Sequence, residues 1–256
     1  MDSVGDHSPT IGISVFVDPC PPLTKNLFDR LIHRLRSWAT VHILRPDTTH
    51  PNLSSMELDL YHMAHWHHAA IQDLKRASQN GAATINSYQG VSVTTDRLAK
   101  LRRLQEAGIT VPEFQFGTDD EITLNPPVLV KPRNELDFHG HEFDSLFTDD
   151  YIFDGEKVVQ RYIVPRQSYK VFRIGEAIRT AKHHWKDGTS LERPTSRNFR
   201  QLTRRVADVF DLSLFELDIV VHKAAYVIDV NPVVSLEGIS DAVQLYETCL
   251  REAISH

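Results

Sequence analysis

Cysteine is nearly absent from this chain of 256 residues, which has only Cys20 and Cys249. Two cysteines give neither a disulfide framework nor the ligand spacing of a zinc site, and they suit a reducing cytosol. No hydrophobic run approaches the length of a transmembrane span, and residues 1–10 lack the apolar core of a signal peptide. We find no internal repeat and no low-complexity tract. We therefore expect a cytoplasmic protein that does not bind a membrane.

An excess of basic charge is also missing. The chain has 28 lysine and arginine residues against 34 aspartate and glutamate residues, which gives a formal net charge of -6. Nucleic acid is therefore not an expected partner on electrostatic grounds. The hydrophobic content of 41% is sufficient for a core, and the length allows one large domain or two small ones.

Two segments near the C-terminus, 214–221 and 226–232, are rich in β-branched and aromatic residues and predict a pair of strands. The four residues between them are few enough for a tight hairpin turn, which we centre on Lys223 and Ala224. The strands then pair in the antiparallel sense and form one edge of a sheet.

Three oxygen-bearing side chains converge in this hairpin. The predicted turn sets Asp218 opposite Asp229, and Asn231 shares a strand face with Asp229 because the two are two residues apart. Two close carboxylates repel each other unless a cation or protons intervene, and oxygen ligands suit Mg²⁺. We interpret Asp218, Asp229 and Asn231 as metal ligands. The alternative is a solvent-facing strand edge with ordinary acids.

The N-terminal third alternates predicted strands with predicted helices, which indicates a parallel sheet covered by helices. Strands are predicted at 11–17, 41–44, 58–61 and 83–85, and helices at 23–38 and 64–80. Several histidines lie here, but no acidic third ligand accompanies them. We interpret them as ordinary histidines rather than a metal site: His62, His65, His67 and His68.

The pattern changes after residue 126. Residues 128–131 form an apolar strand that ends in Lys131, and a buried lysine is uncommon unless it meets an anion. Short turns between the strands that follow indicate an antiparallel sheet. The remaining predictions are a turn at 86–90, a helix from a Thr94 or Thr95 cap to 107, strands at 158–163, 169–174 and 177–184, a polar, mobile connection at 186–194, and helices at 197–211 and 238–254.

The order of these features resembles the ATP-grasp superfamily. The resembling segments run in order from about residue 86 to the C-terminus: Thr95-Asp96-Arg97, Val130-Lys131-Pro132, Val159 to Ile163, Lys170-Val171-Phe172, Gly175 to Ile178, Leu217-Asp218-Ile219 and Ile228 to Asn231. The resemblance implies a mixed α/β and α+β fold. It has a small N-terminal α/β lobe, residues 1–86, and a core of two antiparallel sheets, residues 87–256, that holds a nucleotide between them.

This resemblance implies ATP and one or two Mg²⁺ ions as cofactors. It assigns phosphate contacts to Lys131 and Arg97, although Arg97 alone is equally consistent with a surface arginine. The adenine base is expected beside a short hinge, where a plain core strand is the alternative for the side chains. The hinge residues are Gln160, Arg161, Tyr162 and Ile163.

Catalytic and substrate contacts also follow from the resemblance. It places Lys170 at the γ-phosphate or the acceptor phosphate, and His139 and His141 in a loop that closes over the phosphates. The alternative for both histidines is a solvent-exposed loop. A basic run after the turn at 175–176, with one serine near the metal strand, is interpreted as a receptor for a small anionic substrate or as a solvated sheet edge: Arg179, Lys182, His183, His184 and Ser235.

Within the superfamily, the closest resemblance is to the inositol-trisphosphate kinase family. It rests on Asp96-Arg97, on the loop 139–142 and on the strand pair 169–178. The chain departs from that family at Met63, where a substrate-gripping lysine is expected, and at Ser235, where a glycine is expected. We therefore predict a kinase that moves the γ-phosphoryl of Mg-ATP to a hydroxyl of a small anionic polyol. The alternatives are a carboxylate–amine ligase that works through an acyl phosphate and a nucleotide-binding regulator without turnover.

Overall fold

The computed structural model describes residues 8–15, 22–46, 53–136, 145–184 and 186–255. Its first part is a parallel sheet with strand order β2-β1-β3-β4. The strands and the two helices between them are β1 (Thr10–Ser14), α1 (Pro22–Leu35), β2 (Thr40–Leu44), β3 (Leu60–Met63), α2 (His68–Gln79) and β4 (Ala83–Ile85). The alternating pattern in the sequence therefore gave the correct arrangement.

Two antiparallel sheets follow. The first has the order β5-β8-β6-β7 and consists of β5 (Phe114–Gly117), β6 (Val128–Lys131), β7 (Ser145–Phe147) and β8 (Lys157–Arg161). The second has the order β11-β10-β9-β12-β13 and consists of β9 (Gln167–Ile174), β10 (Ala177–His184), β11 (Thr189–Arg193), β12 (Leu214–Val221) and β13 (Ala225–Asn231). The remaining helices are α3 (Tyr88–Thr94), α4 (Arg97–Glu106), α5 (Arg197–Phe210) and α6 (Ala242–Ile254).

One face of the five-stranded sheet is apolar, whereas the other is apolar at one end, where Phe172 and Leu214 lie in a core with α6, and polar at the other. Val171 and Leu217 are buried on the apolar face, in the same cluster as Val206 of α5. Lys170 and Asp218, the next residues along their strands, face the other way because successive side chains of a strand alternate. This alternation directs the polar side chains toward the four-stranded sheet.

A single core connects the N-terminal sheet with the C-terminal helix. Ile11 of β1 and Leu31 of α1 belong to the same buried cluster as Tyr246 and Leu250 of α6. Outside this core, Arg34 Nε of α1 donates to Glu247 Oε2 of α6 over 2.5 Å. The division of the chain at residue 86 stays a prediction, and α6 packs against the parallel sheet although it follows the strands of the other two sheets.

Several predicted boundaries are wrong. The segment 86–90 is not only a turn, because α3 begins at Tyr88 after a cap by Ser87. The segment 186–194 contains β11 rather than a simple connection, since residues 189–193 pair with β10. The last helix begins at Ala242, four residues later than expected.

The histidine region also differs from the prediction. His62 lies within β3, and α2 begins at His68 rather than at residue 64. The side chain of His67 caps α2 by accepting a hydrogen bond from the backbone N–H of Ala69 over 3.2 Å. Among the described residues, no group of three or more His, Cys, Asp or Glu side chains is placed to hold a metal.

None of the helices in the described ranges has the length and apolar character that crossing a membrane requires.

Candidate nucleotide and metal site

A cleft of about 300 Å³ lies between the two antiparallel sheets. Apolar side chains such as Leu129, Val220 and Ile228 line one part of it, and Lys131 and Asp229 line the other. The full lining is Pro112, Leu129, Lys131, Gln160, Arg161, Tyr162, Ile163, Pro165, Asp218, Val220, Ile228 and Asp229. Seven of these residues were predicted to bind metal, phosphate or base, and Ile228 is the strand neighbour of one of them. The predicted sites, which are distant in sequence, therefore lie together in one cleft.

The predicted pairing of Asp218 with Asp229 is present in the β12–β13 ladder. The register shifts by one residue between Asp218 and Ile219, so that Ile219 faces Val227 and Ile228 has no partner across the ladder. Asn231 lies on the same face, and its Nδ2 is 3.4 Å from Asp218 Oδ2. The three oxygen-bearing side chains are therefore together, and their role as metal ligands stays a prediction.

Asp229 is held in its ionised form. Burial raises the pKa of this carboxyl, but the positive charges of Lys100, Lys131 and Arg97 outweigh burial and set its pKa well below the usual range. Its Oδ1 accepts hydrogen bonds from Lys100 Nζ and from the backbone N–H of Val230. A carboxylate ionised at all physiological pH values is suited to bind a divalent cation.

Asp218 has the opposite electrostatic character. Burial and the nearby Glu216 raise its pKa to about 7, although Lys170 opposes them. Lys170 Nζ forms an ion pair with Glu216 and lies 3.3 Å from Asp218 Oδ1. A cation at this end of the cleft would favour the ionised form of Asp218.

Glu216 is a functional candidate that the sequence analysis missed. It faces Asn231 across the ladder and is buried, with Oε1 paired to Lys170. Its Oε2 accepts hydrogen bonds from the backbone N–H and the hydroxyl of Ser235. Ser235 is thus engaged with a neighbouring carboxylate in this structure. The two-residue spacing between Glu216 and Asp218 was the signal available in the sequence.

The two predicted phosphate-binding residues occupy different positions. Lys131 lies at the end of β6, is buried and lines the cleft. Arg97 is also buried, so the surface alternative is wrong. Its Nη1 donates to the carbonyl of Pro132 over 2.5 Å, and its Nε is 3.2 Å from Glu135 Oε1. Arg97 therefore supports the segment that follows β6, and its charge still acts on Asp229.

The hinge residues divide in a similar way. Gln160 is buried against the cleft, and its Nε2 has no hydrogen-bond partner in the described part of the chain. Tyr162 and Ile163 follow β8 and also line the cleft. The side chain of Arg161 forms an ion pair with Glu113 over 2.8 Å, so its guanidinium is engaged elsewhere. An unpaired buried donor in an apolar cleft is costly unless a ligand accepts its hydrogen bond.

The predicted basic run does not act as one surface. Arg179 Nη2 is 2.7 Å from Asp241 Oδ2, and its Nε is 3.8 Å from Glu192. Lys182 faces Tyr169 across the β9–β10 ladder, whereas Ala181 faces Lys170, so Lys182 lies on the side of the sheet away from the cleft. His184 shares that side because it is two residues beyond Lys182.

The other substrate and catalytic predictions have mixed outcomes. His183 lies on the same side of the sheet as Lys170, and its Nδ1 is 3.0 Å from Ser190 Oγ. His139 and His141 lie outside the described residues. The structure thus places Lys170 and His183 on the same face of the sheet, and the roles of the loop histidines stay predictions.

The helix start at α4 is also corrected. Its cap is Asp96 rather than Thr94 or Thr95, because the Asp96 side chain accepts from the backbone N–H of Ala99 over 3.0 Å. One turn along the helix, Lys100 points inward and contacts Asp229 and Glu135. Neither Lys100 nor Glu135 was among the site residues predicted from the sequence. The available signal was that Lys100 lies four residues before Leu104 on the buried helix face.

No protein-family model and no curated protein sequence gives a significant match to the chain. Solved structures do match over nearly the whole chain. A RimK-domain ATP-grasp protein from Sphaerobacter thermophilus DSM 20745 has a TM-score of 0.71 at 17% identity, covering 94% of this chain and 99% of that chain. The chain has the ATP-grasp fold.

Two further ATP-grasp structures agree with this assignment. D-alanine–D-alanine ligase from Bacillus anthracis, in complex with ATP, has a TM-score of 0.71 at 14% identity and covers 96% of both chains. The ATP-grasp ligase PsnB, in complex with its precursor peptide PsnA2 and AMPPNP, has a TM-score of 0.65 at 12% identity and covers 96% of this chain and 97% of that chain. The fold predicted from the resemblance is thus confirmed, and the narrower resemblance to inositol-trisphosphate kinases stays a prediction.

Magnesium and ATP fit the residues of this ATP-grasp cleft. A nucleotide presents an apolar base with hydrogen-bonding edges at one end and several phosphate charges at the other. The cleft offers apolar walls with the unpaired Gln160 donor, followed by Lys131 and the acids of β12 and β13. Two carboxylates and one amide leave room for phosphate oxygens in the coordination shell of Mg²⁺.

Proposed function

We propose that this protein is an enzyme that uses Mg-ATP to phosphorylate an oxygen atom of a small anionic acceptor. The observation that carries the proposal is the convergence of Lys131 with Asp218, Asp229 and Asn231 at the charged end of the inter-sheet cleft. The acceptor is expected to be a small molecule rather than nucleic acid or a membrane.

Each residue has a distinct task in this proposal. Lys131 binds the phosphate chain through charge-assisted hydrogen bonds, and Gln160 donates to the base. Asp218, Asp229 and Asn231 hold Mg²⁺, which when bound neutralises phosphate charge and orients the γ-phosphoryl group for in-line attack. Lys170 lies beside Asp218 and is positioned to bind the phosphoryl group as it is transferred.

We favour a carboxylate of the acceptor as the phosphorylated group, which makes the protein a carboxylate–amine ligase. The carboxylate oxygen forms a bond to the γ-phosphorus, ADP leaves, and an amine then attacks the acyl carbon and releases phosphate. The similarity in fold to D-alanine–D-alanine ligase and to PsnB supports this choice. The pairing of Arg179 with Asp241 supports it as well, because this predicted substrate-binding cation is already neutralised by a carboxylate of the protein. A polyphosphate acceptor would need cations that are not already neutralised.

The second candidate is a kinase that phosphorylates a hydroxyl group. It is favoured by the resemblance of the strand pair 169–178 to inositol-trisphosphate kinases. The pair forms the β9–β10 hairpin, in which Gly175 takes the left-handed conformation with φ of +59° that the turn needs. This conformation fits the kinase motif but does not require kinase chemistry.

A trapping experiment separates the candidates. The purified protein is incubated with Mg-ATP, pools of small carboxylates or polyols, and hydroxylamine. A ligase gives phosphate and a hydroxamate that depend on the carboxylate, and a kinase gives ADP and a phosphate ester that resists hydroxylamine. ATP binding without turnover in either pool contradicts the enzymatic proposal. Asp229→Asn is the matched inactive control, because it is isosteric and removes the charge that the metal needs.

A further inference from the structure

A buried lysine lies directly behind the proposed metal site. Lys100 is on the inward face of α4, and its side chain is only 2% exposed. Burying an ammonium group is unfavourable unless it is paired, so its partners determine its role. The resemblance to ATP-grasp proteins assigned no role to this position.

Lys100 Nζ has three partners. It donates to Glu135 Oε1 over 2.5 Å, to Asp229 Oδ1, and to the carbonyl of Val230 at 3.4 Å. The backbone N–H of Val230 also donates to Asp229 Oδ1, over 2.8 Å. Both contacts to Asp229 are made to the same oxygen. A metal ion in the cleft would therefore meet Asp229 through Oδ2, the oxygen that neither contact uses.

The charges around this position balance. The acids at this end of the cleft are Asp218, Asp229, Glu216 and Glu135, and the bases are Arg97, Lys100, Lys131 and Lys170. When Asp218 is ionised, a divalent cation that enters alone adds two positive charges to a set that is already neutral. A cation that enters with the phosphates of a nucleotide brings their negative charge with it.

We propose that Lys100 is an internal counter-ion of Asp229 that makes metal binding depend on the nucleotide. Its ammonium group holds Oδ1 and offsets one carboxylate charge, so a free divalent cation binds weakly and the cation bound to a nucleotide binds well. Lys100 is a positioning residue, because it contacts Asp229 and acts on the metal only through that carboxylate. This inference rests on the proposed binding of Mg-ATP in the cleft.

Manganese binding gives a test that does not use activity. Free Mn²⁺ is measured by electron paramagnetic resonance while the intact protein is titrated, first alone and then with saturating AMPPNP. Lys100→Met removes the counter-ion, and we expect it to raise the affinity for Mn²⁺ alone about fivefold or more. The affinity for Mn²⁺ with AMPPNP, divided by the affinity without AMPPNP, should fall by a similar factor. Arg102→Met, an exposed basic residue on the same helix, should change neither value.

A second variant is needed in case Lys100→Met does not fold. Lys100→Met leaves Glu135 and Asp229 buried without their shared partner, so Lys100→Met/Glu135→Gln removes one of the two carboxylate charges. Circular dichroism and thermal melting identify the variant that folds. In the double variant the net charge of the set is unchanged but Asp229 has lost its counter-ion, so a smaller rise in affinity for Mn²⁺ alone is expected for it. Lys100→Arg keeps the charge and should resemble the wild type.

The possible outcomes separate this inference from the proposed function. If the wild type binds Mn²⁺ with AMPPNP but the folded variants bind Mn²⁺ alone no better than the wild type, the role of Lys100 is wrong and the proposed function stands. If the wild type binds Mn²⁺ equally with and without AMPPNP, or not at all, both are wrong.

Discussion

Asp218 and Asp229 lie directly opposite each other in the β12–β13 ladder because Ile228 is an extra residue in β13. From the turn outward, Val221 faces Ala225 and Ile219 faces Val227, and the shift after Ile219 then aligns the two acids. A bulge of this kind lets two successive residues point to one side of the sheet. Accordingly, Ile228 and Asp229 both line the cleft, one in its apolar part and one in its charged part.

Ile228→Ala should weaken nucleotide binding without removing its metal dependence. The substitution takes apolar surface from the wall of the cleft, and a loss of ~1 kcal/mol corresponds to roughly fivefold in affinity. Calorimetric titration with AMPPNP, with and without Mg²⁺, measures both quantities. Ile228→Val removes less surface and should give a smaller loss. An unchanged affinity in the alanine variant would exclude Ile228 from the binding surface.

Lys131→Met should reduce the affinity for AMPPNP by about tenfold or more, because charge-assisted contacts to phosphate are lost. The methionine keeps most of the length and apolar volume of the lysine, so the strand β6 should pack as before. Lys157→Met, on the neighbouring strand β8, is the control, because Lys157 does not line the cleft. Equal losses in the two variants would indicate a general charge effect rather than a phosphate contact.

Gln160→Leu should have opposite effects on stability and on binding. The leucine removes a buried donor that has no partner among the described residues, and we expect the ligand-free protein to gain about 1 kcal/mol in free energy of unfolding. The nucleotide should bind more weakly because its acceptor loses that donor. Urea unfolding and AMPPNP titration measure the two effects. A stability loss together with unchanged binding would show that Gln160 has a structural role only.

His62→Gln should reduce the acid sensitivity of the fold. Burial lowers the pKa of His62 to about 3, whereas the unfolded chain binds a proton near pH 6.5. Below pH 6.5 the unfolded state therefore holds one more proton, and the free energy of unfolding falls by ~1.4 kcal/mol per pH unit from this residue. Glutamine retains an acceptor for the Tyr246 hydroxyl, which lies 2.6 Å from His62 Nε2.

The measurement is urea unfolding at several pH values from 7 to 5. Between pH 6.5 and pH 5 the free energy of unfolding should fall by about 2 kcal/mol less in the variant than in the wild type. If the free energy of unfolding falls equally with pH in the two proteins, the pKa of His62 is not lowered in the folded state.

The predictable parts of the site are those that follow from the alternation of side chains along a strand. Lys131 at the end of an apolar strand and the two-residue spacing of Asp229 and Asn231 fix which side chains face the same way. The pairing of Asp218 with Asp229 was predicted from a turn centred on Lys223 and Ala224. The observed turn has three residues, 222–224, and the extra residue Ile228 restores the predicted register.

The parts that were missed depend on contacts between distant segments. Lys100 contacts Asp229 across 129 residues of sequence, and Glu216 contacts Ser235 across 19, and no local pattern specifies either pair. The prediction of one basic surface was wrong for two reasons. Arg179 and Lys182 lie on opposite faces of β10, and Asp241, which lies outside that strand, neutralises Arg179. Tertiary pairing therefore decided which charges remain available to a ligand.

We propose that acids on β12 and β13 and a lysine on β6 bind a magnesium nucleotide between the two sheets. The decisive measurement is calorimetric titration of the wild type, Asp218→Asn and Asp229→Asn with AMPPNP, with and without Mg²⁺. We expect AMPPNP to bind the wild type at least tenfold more tightly with Mg²⁺ than without it, and we expect both folded variants to lose this difference. Binding that is equally tight in all three proteins, or that does not respond to Mg²⁺, would contradict this proposal.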